Sequence, residues 1–241
     1  MMLNPDIYSF ANLGGLSAKP DNGASTRTFK RVAVEGNIGC GKTTFLEHFR
    51  SNPGVEVIAE PVEKWKSVNG FNCFDLMYKD TVRWSLAFQS YVTLTMLENH
   101  EQEKRQGCVK MIERTLYSAR YCFIENLNQK GLMTNMEHFV LKEWHDWIAD
   151  NADTGLDLIV YLRASPETCH KRIEARNRSE ESSVSLDYLN ELHKLHEDWL
   201  VNKTTGVLLA PVLVIDVDED LNEVVKKIED LTPQILQHTQ S

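Results

Sequence analysis

The chain has 241 residues, of which 42% are apolar and 25% are charged, and its formal net charge is −9. This composition excludes a largely disordered chain, a collagen-like chain and a small disulfide-rich scaffold. The acidic balance argues against nucleic acid or a membrane surface as a partner, because both attract basic proteins. No stretch of the sequence approaches the roughly 18 apolar residues of a membrane span.

The first part of the chain is predicted to be a flexible leader. Residues 1–30 are rich in loop-forming residues and show no sustained apolar period. They carry a single arginine and no apolar core of a secretory signal, and they make a poor mitochondrial presequence. The cysteines are five in number and lack metal-binding spacing, which indicates free thiols in a reducing compartment. We therefore expect the cytoplasm or the nucleus rather than the mitochondrion.

The rest of the chain, residues 31–241, is predicted to form a single domain. Short apolar runs, each typical of a buried strand, cover residues 31–35, 55–59, 109–112, 158–162 and 212–215. Helical patterns cover residues 43–50, 74–105, 116–130, 135–150, 186–202 and 221–237. A further helix begins at Ser165-Pro166, a serine cap followed by proline in the first turn. Strands that alternate with helices predict an α/β fold with a five-stranded parallel sheet flanked by helices.

The most specific motif follows the first predicted strand. It reads Gly36-Asn37-Ile38-Gly39-Cys40-Gly41-Lys42-Thr43 and satisfies the phosphate-loop pattern G-x-x-x-x-G-K-[ST]. Glycines let backbone N–H groups surround phosphate oxygens, and the N-terminus of the following helix adds a favourable dipole. Lys42 offers a positive charge to the terminal phosphates, and Thr43 offers a hydroxyl to Mg²⁺. The motif therefore predicts a P-loop protein that binds the phosphates of a nucleotide.

The end of the third predicted strand narrows the choice among P-loop proteins. A GTPase carries Asn-Lys-x-Asp, whereas residues 202–205 lack the aspartate, and a motor or transporter ATPase ends this strand in aspartate. Here Glu113-Arg114 ends it. A carboxylate followed by a guanidinium suits a metal contact beside a transferred phosphoryl group, and it is equally typical of a surface ion pair.

Two further groups of charged residues allow a catalytic and a structural interpretation. Glu60 directly follows the second strand, at the sheet edge where ligands bind, so its carboxylate can accept a proton from an attacking hydroxyl. A solvated strand-end carboxylate is the commoner alternative. Clustered arginines in residues 172–184 can form a lid that closes over phosphates, or simply a solvated helix face.

Together with other short stretches, these residues resemble the deoxyribonucleoside kinases. The resemblance covers about residues 31–202 and rests on the phosphate loop and, in order, on Glu60-Pro-Val-Glu-Lys-Trp65, Phe88-Gln-Ser-Tyr-Val92, Glu113-Arg114, Ser118-Ala-Arg-Tyr121 and Arg178-Ser-Glu-Glu181. It implies a P-loop kinase fold with an Arg-rich lid. It also implies Mg²⁺-dependent transfer of the ATP γ-phosphoryl group to the 5′-hydroxyl of deoxyribonucleosides in nucleotide salvage. A homodimer and feedback binding of a deoxynucleoside triphosphate such as dTTP are further expectations.

The resemblance implies roles for single residues on the phosphate side. Glu60 matches the general base on the 5′-hydroxyl, and Arg114 matches the neighbour that steadies the developing charge. The positions that match phosphate and Mg²⁺ ligands are the loop residues with Lys42, Thr43 and Thr44, together with Glu113. The positions that match the lid arginines are Arg172, Arg176 and Arg178.

The resemblance likewise implies a nucleoside pocket. Tyr78 and Glu181 match the pair that hydrogen-bonds the sugar 3′-hydroxyl. Gln89 matches the residue that pairs with the base edge, and Phe123 matches the ring that stacks on the base. The remaining walls match Trp65, Met77, Phe88 and Val92.

Two small differences bear on the choice of base. Family members that prefer deoxycytidine or purines place Arg and Asp where this chain has Met96 and Ala119, which leave apolar room for the methyl group of thymine. We therefore expect thymidine and deoxycytidine as good substrates and purines as weaker ones. The alternatives are a nucleoside monophosphate kinase on a related scaffold, and a catalytically silent structural relative, which would be expected to have lost Lys42, Glu60 or Arg114.

Overall fold

The computed structural model describes residues 29–102, 106–177, 181 and 184–237. The predicted leader lies almost wholly outside these residues, as does Arg178 of the predicted lid.

Five parallel strands form the central sheet, as predicted. They are β1 (Lys30–Glu35), β2 (Val55–Ile58), β3 (Val109–Glu113), β4 (Leu158–Arg163) and β5 (Val212–Asp216). Their order across the sheet is β2-β3-β1-β4-β5, and every neighbouring pair is parallel. The carboxyl ends of β2, β3 and β1 therefore lie side by side at one edge of the sheet.

Helices connect the strands and cover both faces of the sheet. They are α1 (Lys42–Arg50), α2 (Val62–Lys66), α3 (Cys73–Lys79), α4 (Thr81–Glu101), α5 (Leu116–Ser118), a π-helix (Ala119–Ile124), α6 (Glu125–Gln129), α7 (Asn135–Asn151), α8 (Pro166–Arg176), α9 (Leu186–Leu200) and α10 (Leu221–Gln237). None of the described helices combines the length and the apolar character that crossing a membrane requires.

The prediction of one helix over residues 74–105 is wrong. The chain breaks at Asp80, whose φ of −147° and ψ of 79° are not helical. Its side chain accepts a hydrogen bond from the backbone N–H of Arg83 at 3.2 Å and so caps the N-terminus of α4. Helix α2 was not predicted, because five residues are too short to show a helical period.

Alternate side chains of the central strand pack into two separate apolar layers. Val32 and Val34 of β1 face a layer that includes Phe45 of α1. Ala33 faces the opposite layer, which includes Phe88 of α4 and Trp199 of α9. Because helices cover both faces, the open part of the sheet is its edge at the strand ends.

Two buried cations hold the C-terminus of α4 at the opposite edge of the sheet. Lys110 of β3 donates to the carbonyls of His100 and Gln102 at 2.7 and 2.8 Å, and Arg31 of β1 donates to that of His100 at 3.1 Å. The last carbonyls of a helix have no partner within the helix, and cations satisfy them well. The sheet thus fixes α4, which carries several predicted site residues.

Candidate active site

The carboxyl ends of β1, β2 and β3 open into a cavity of about 1030 Å³. Most of the residues predicted from the sequence line it: Ile38, Gly39, Cys40, Gly41, Lys42, Thr43, Thr44, Glu60, Trp65, Met77, Tyr78, Phe88, Gln89, Val92, Met96, Glu113, Arg114, Ala119, Phe123, Arg172, Arg176 and Glu181. Residues from distant parts of the chain therefore meet in one concave site, which is where ligands usually bind.

The phosphate loop passes tightly between β1 and α1. Its glycines at 36, 39 and 41 have φ values of 146°, 79° and 107°, which residues other than glycine rarely adopt. The ammonium of Lys42 donates to the carbonyls of Gly36 and Asn37 at 3.1 and 2.7 Å. The loop thus holds the positive charge of Lys42 against its own backbone, which suits the binding of an anion.

Gly36 and Asn37 are absent from the cavity wall, although the motif includes them. The amide of Asn37 donates to the carbonyl of Leu189 in α9 at 2.8 Å, and its oxygen accepts from the backbone N–H of Ile38 at 2.9 Å. A Cβ on Gly36 would lie 2.6 Å from the carbonyl oxygen of Leu162. These two residues therefore hold the loop in place from behind.

Two oxygen-bearing side chains meet at the start of α1. The hydroxyl of Thr43 donates to Oε1 of Glu113 at 2.9 Å. A hydroxyl and a carboxylate are hard oxygen donors, the kind that Mg²⁺ prefers in proteins. This donor set fits the predicted magnesium position.

Glu60 and Arg114 form an ion pair on the wall of the cavity. Nε of Arg114 lies 3.0 Å from Oε1 of Glu60, and the side chains are 5% and 21% exposed. Burial raises the pKa of Glu60 above its usual value, and the nearby guanidinium of Arg114 and ammonium of Lys42 counteract part of that rise. The pair thus places a carboxyl group of raised pKa beside a cation that favours its ionised form.

Arg114 itself is held in an unusual position. Its φ of 57° is left-handed, a conformation that strains residues with a side chain. Its guanidinium carbon lies 4.8 Å from the ring centre of Phe123, and its Nη1 is buried without a hydrogen-bond partner among the described residues. A buried donor of this kind is satisfied once a ligand supplies an acceptor.

An aromatic pocket adjoins the ion pair. The rings of Trp65 and Phe88 meet edge to face at 5.6 Å, and the indole N–H of Trp65 donates to Thr95 of α4 at 2.9 Å. Gln89 is 3% exposed, and its Oε1 has no hydrogen-bond partner in the described part of the chain. Aromatic faces beside an unpartnered amide suit a planar heterocycle with polar edges.

The π-helix places two predicted residues on the cavity wall, Ala119 and Phe123. The sequence predicted a helix here, but not the wider turn, because one extra residue per turn does not change the apolar pattern visibly. Such turns are frequent at functional sites.

Two of the arginines predicted to form a lid, Arg172 and Arg176, contact the protein itself. Arg172 donates to the carbonyls of Cys40 and Val217 at 3.1 and 2.7 Å, which joins α8 to the phosphate loop and to the turn after β5. Arg176 forms an ion pair with Glu181. Arg172 therefore lies beside the phosphate loop, whereas Arg176 lies beside Glu181.

Sequence reasoning missed several residues of the cavity wall. Tyr188 of α9 lines the cavity near Tyr78, and burial raises the pKa of both phenols well above the usual value. The turn after β5, from Val217 to Asp220, and Lys171 of α8 also line it. None of these belongs to a motif, so only the fold brings them to the site.

A sequence profile of the deoxynucleoside kinases matches residues 32–240. The chain belongs to the deoxynucleoside kinase family. It is 44% identical to human mitochondrial thymidine kinase 2 over 224 residues, which cover 91% of this chain and 84% of that protein. It is 34% identical to mouse deoxycytidine kinase, with 85% of this chain and 90% of that protein covered.

Membership in this family confirms the P-loop kinase fold and the class of enzyme. The deoxynucleoside kinase is an ATP-dependent phosphotransferase, and nucleosides and ATP are its substrates. The family match favours a nucleoside as acceptor over the nucleoside monophosphate that the alternative interpretation required.

Substitution of Gly39 by alanine should damage the phosphate loop. The added Cβ would lie 2.7 Å from the carbonyl oxygen of Cys169 and 2.8 Å from Cγ1 of Ile173, at a φ of 79°. We expect the free energy of unfolding to fall by about 1–3 kcal/mol in urea titrations, and KM for ATP to rise at least about tenfold.

Gly54→Ala is the matched control, because Gly54 has an ordinary φ and its nearest new contact is 3.4 Å away. A Gly39→Ala variant with unchanged stability and an unchanged KM for ATP would contradict the tight packing of the loop against α8.

Proposed function

We propose that this kinase transfers the γ-phosphoryl group of ATP to the 5′-hydroxyl of pyrimidine deoxyribonucleosides, with Glu60 as general base. The observation that carries the proposal is the position of the Glu60–Arg114 pair. It lies in one cavity with the phosphate loop and with the aromatic pocket. A hydroxyl bound beside Glu60 is then close to both the base and the donor phosphates, as an in-line displacement requires.

The reaction follows from the charges around the 5′-hydroxyl. Glu60 accepts the hydroxyl proton while the 5′-oxygen forms a bond to the γ-phosphorus, and the bond from that phosphorus to the leaving ADP oxygen breaks. The raised pKa makes Glu60 a better base than an exposed glutamate. Lys42 and Arg114 stabilise the negative charge on the transferred group.

Mg²⁺ fits the pair formed by Thr43 and Glu113. In the described part of the chain, no three His, Cys, Asp or Glu side chains gather into a metal site, so phosphate oxygens of ATP would complete the coordination. When bound, the ion neutralises charge on the β- and γ-phosphates. Arg172 and Arg176 would add positive charge on the same side.

The aromatic pocket is assigned to the nucleoside. The unpartnered oxygen of Gln89 accepts a hydrogen bond from the base edge, and Phe123 stacks on the base face. Tyr78 and Glu181 would bind the sugar 3′-hydroxyl, and a substrate without that group would leave buried polar atoms unpaired. Trp65, Met77, Phe88 and Val92 would form the remaining walls.

Replacement of Glu60 by glutamine tests whether Glu60 is the general base. We expect kcat for thymidine to fall about 10²–10⁴-fold with little change in KM, because the amide cannot take the proton. In the wild type, kcat should fall as pH is lowered through the raised pKa of Glu60, since the carboxylate is the active form. The residual activity of Glu60→Gln should lack this acid limb.

Glu47→Gln removes an exposed carboxylate of α1 that pairs with Arg50 and serves as control. If Glu60→Gln retained the kcat of the wild type, Glu60 would not be the base.

The double substitution Met96→Arg and Ala119→Asp tests which nucleobase the pocket accepts. Both side chains are buried, at 2% and 3% exposure, so the charged pair would occupy the apolar space left for the thymine methyl group. We expect kcat/KM for thymidine to fall at least about tenfold, with a smaller change for deoxycytidine, which lacks the methyl group. Unchanged efficiency with thymidine would refute the pocket argument.

A second copy of the chain is the proposed partner for the open faces of α4 and α7. Exposed apolar side chains at helical spacing on α7 are Met136 (70%), Phe139 (58%), Trp144 (57%) and Trp147 (49%), and α4 adds Leu94 (52%). The two helices touch through Thr93 and His145, 3.2 Å apart. Contiguous apolar surface of this kind is typical of an interface, and a self-complementary helix face favours a two-fold dimer.

Phe139→Asp combined with Trp144→Asp should convert a dimer into monomers, measured by sedimentation, because it buries charge in the interface. Phe71→Asp is the matched control, since Phe71 is 69% exposed but belongs to the segment between α2 and α3 and not to α4 or α7. A wild type that sediments as a monomer at micromolar concentration would contradict the dimer.

Feedback binding of a deoxynucleoside triphosphate is a further part of the proposal. A deoxynucleoside triphosphate such as dTTP could place its base in the aromatic pocket and its phosphates at the phosphate loop, because both line the same cavity.

Two of the relatives, from human and macaque, are named as mitochondrial enzymes. This favours the mitochondrion over the cytoplasm that the composition of residues 1–30 predicts, and the compartment stays a prediction.

A further inference from the structure

A buried carboxyl group outside the proposed chemistry lies directly before the phosphate loop. Glu35 is the last residue of β1 and is 0% exposed. Its Oε1 accepts a hydrogen bond from the hydroxyl of Thr115 at 2.7 Å, and its Oε2 has no hydrogen-bond partner among the described residues. A buried carboxyl group is costly, so its presence calls for a physical reason.

The hydrogen bond to Glu35 determines how Thr115 caps the next helix. Thr115 is 0% exposed, and its hydroxyl has a single proton, which it donates to Glu35. The lone pairs of the same oxygen are left to accept from the backbone N–H of Tyr117 at 3.2 Å. Ser118 donates back to the carbonyl of Thr115 at 3.0 Å. Glu35 thus orients the start of α5.

Arg114 lies between two contacts with the end of β1. On its N-terminal side, its backbone N–H donates to the carbonyl of Val34 at 3.0 Å. On its C-terminal side, Thr115 is tied to Glu35. Arg114 has a left-handed φ of 57°, and such a strained residue persists only where its surroundings hold it.

The charged and titratable groups around Glu35 come from three other elements. They are Arg114 after β3, Lys42 of α1 and Cys122 of the π-helix, with the hydroxyls of Thr115 and Ser118. Burial raises the pKa of Glu35 to about 7, and the hydrogen bond from Thr115 and the cation of Arg114 oppose this rise. The carboxyl group of Glu35 therefore interacts both with Lys42 of the phosphate loop and with Arg114.

We propose that Glu35 is a positioning residue, which acts through the hydroxyl of Thr115 to fix Arg114 beside Glu60 and in register with the phosphate loop. This inference rests on the proposed roles of Glu60 and Arg114. Glu35 itself touches no substrate in this proposal. Its contribution is the geometry of a cation needed in the transition state, so its loss should lower kcat more than it raises KM.

Thr115→Val tests the proposal, because valine keeps the shape and removes the hydroxyl that donates to Glu35 and accepts from the backbone N–H of Tyr117. We expect kcat for thymidine to fall about ten- to hundredfold, the usual size of a small misplacement in a site, with KM for thymidine and ATP within about threefold. Thr115→Ser keeps the hydroxyl and should retain kcat within about threefold. Glu35→Gln keeps an acceptor oxygen and should also retain kcat within about threefold.

The double variant Glu35→Leu with Thr115→Val separates positioning from stability. Replacing both partners by apolar groups leaves no buried acceptor unpaired, so this variant should unfold at a higher urea concentration than Thr115→Val. Its kcat should nevertheless stay low. It also keeps the test decisive if Thr115→Val alone does not fold.

Thr154→Val is the structural control. The hydroxyls of Thr154 and Tyr117 form a buried hydrogen bond of the same length, 2.7 Å, that does not involve Glu35. We expect this variant to lose stability and to keep kcat. The inference is overturned if Thr115→Val or the double variant retains the wild-type kcat, or if Thr154→Val loses as much. A wild type without thymidine kinase activity would instead contradict the proposed function.

Discussion

The ion pair between Glu60 and Arg114 is the interaction on which the site depends. Charges with this little access to water are expensive to bury, and each ion of the pair offsets the desolvation of the other. The pair is tolerated because the ammonium of Lys42 favours the ionised form of Glu60, while the carboxylates of Glu35 and Glu113 favour the charged form of Arg114. Removing one partner would leave the other buried without its nearest counter-ion, so the two residues act as a unit.

The topology of the sheet brings this pair together with the phosphate loop. Because β3 lies between β2 and β1, the carboxyl ends of these three strands are neighbours. Val34 of β1 is in register with Glu113 of β3. This arrangement could be predicted in large part. Buried parallel strands are recognisable as short apolar runs, and the phosphate loop fixes which edge of the sheet is functional. The positions of Glu60 and Glu113 then follow from where their strands end.

Other features could not be predicted, for physical reasons. The break at Asp80 depends on a single side chain that caps the next helix, and apolar periodicity does not register it. The inward turn of Asn37 requires the carbonyl of Leu189, which lies 152 positions away in the chain. The place of Tyr188 on the cavity wall and the hydrogen bond between Glu35 and Thr115 likewise depend on residues far apart in the chain. Motifs identify residue types suited to a reaction, but the contacts that orient them are set by the fold.

The unpartnered polar atoms of the cavity explain why recognition and catalysis share one surface. Oε1 of Gln89 and Nη1 of Arg114 are both buried and lack hydrogen-bond partners among the described residues. Leaving such atoms unpaired costs about 1–3 kcal/mol each, more where the group is charged. A ligand that satisfies both atoms recovers this energy, whereas one with a mismatched edge recovers only part of it. In the proposed function, selectivity and transition-state stabilisation therefore draw on the same buried polarity, and a more apolar cavity would fold more easily but discriminate less.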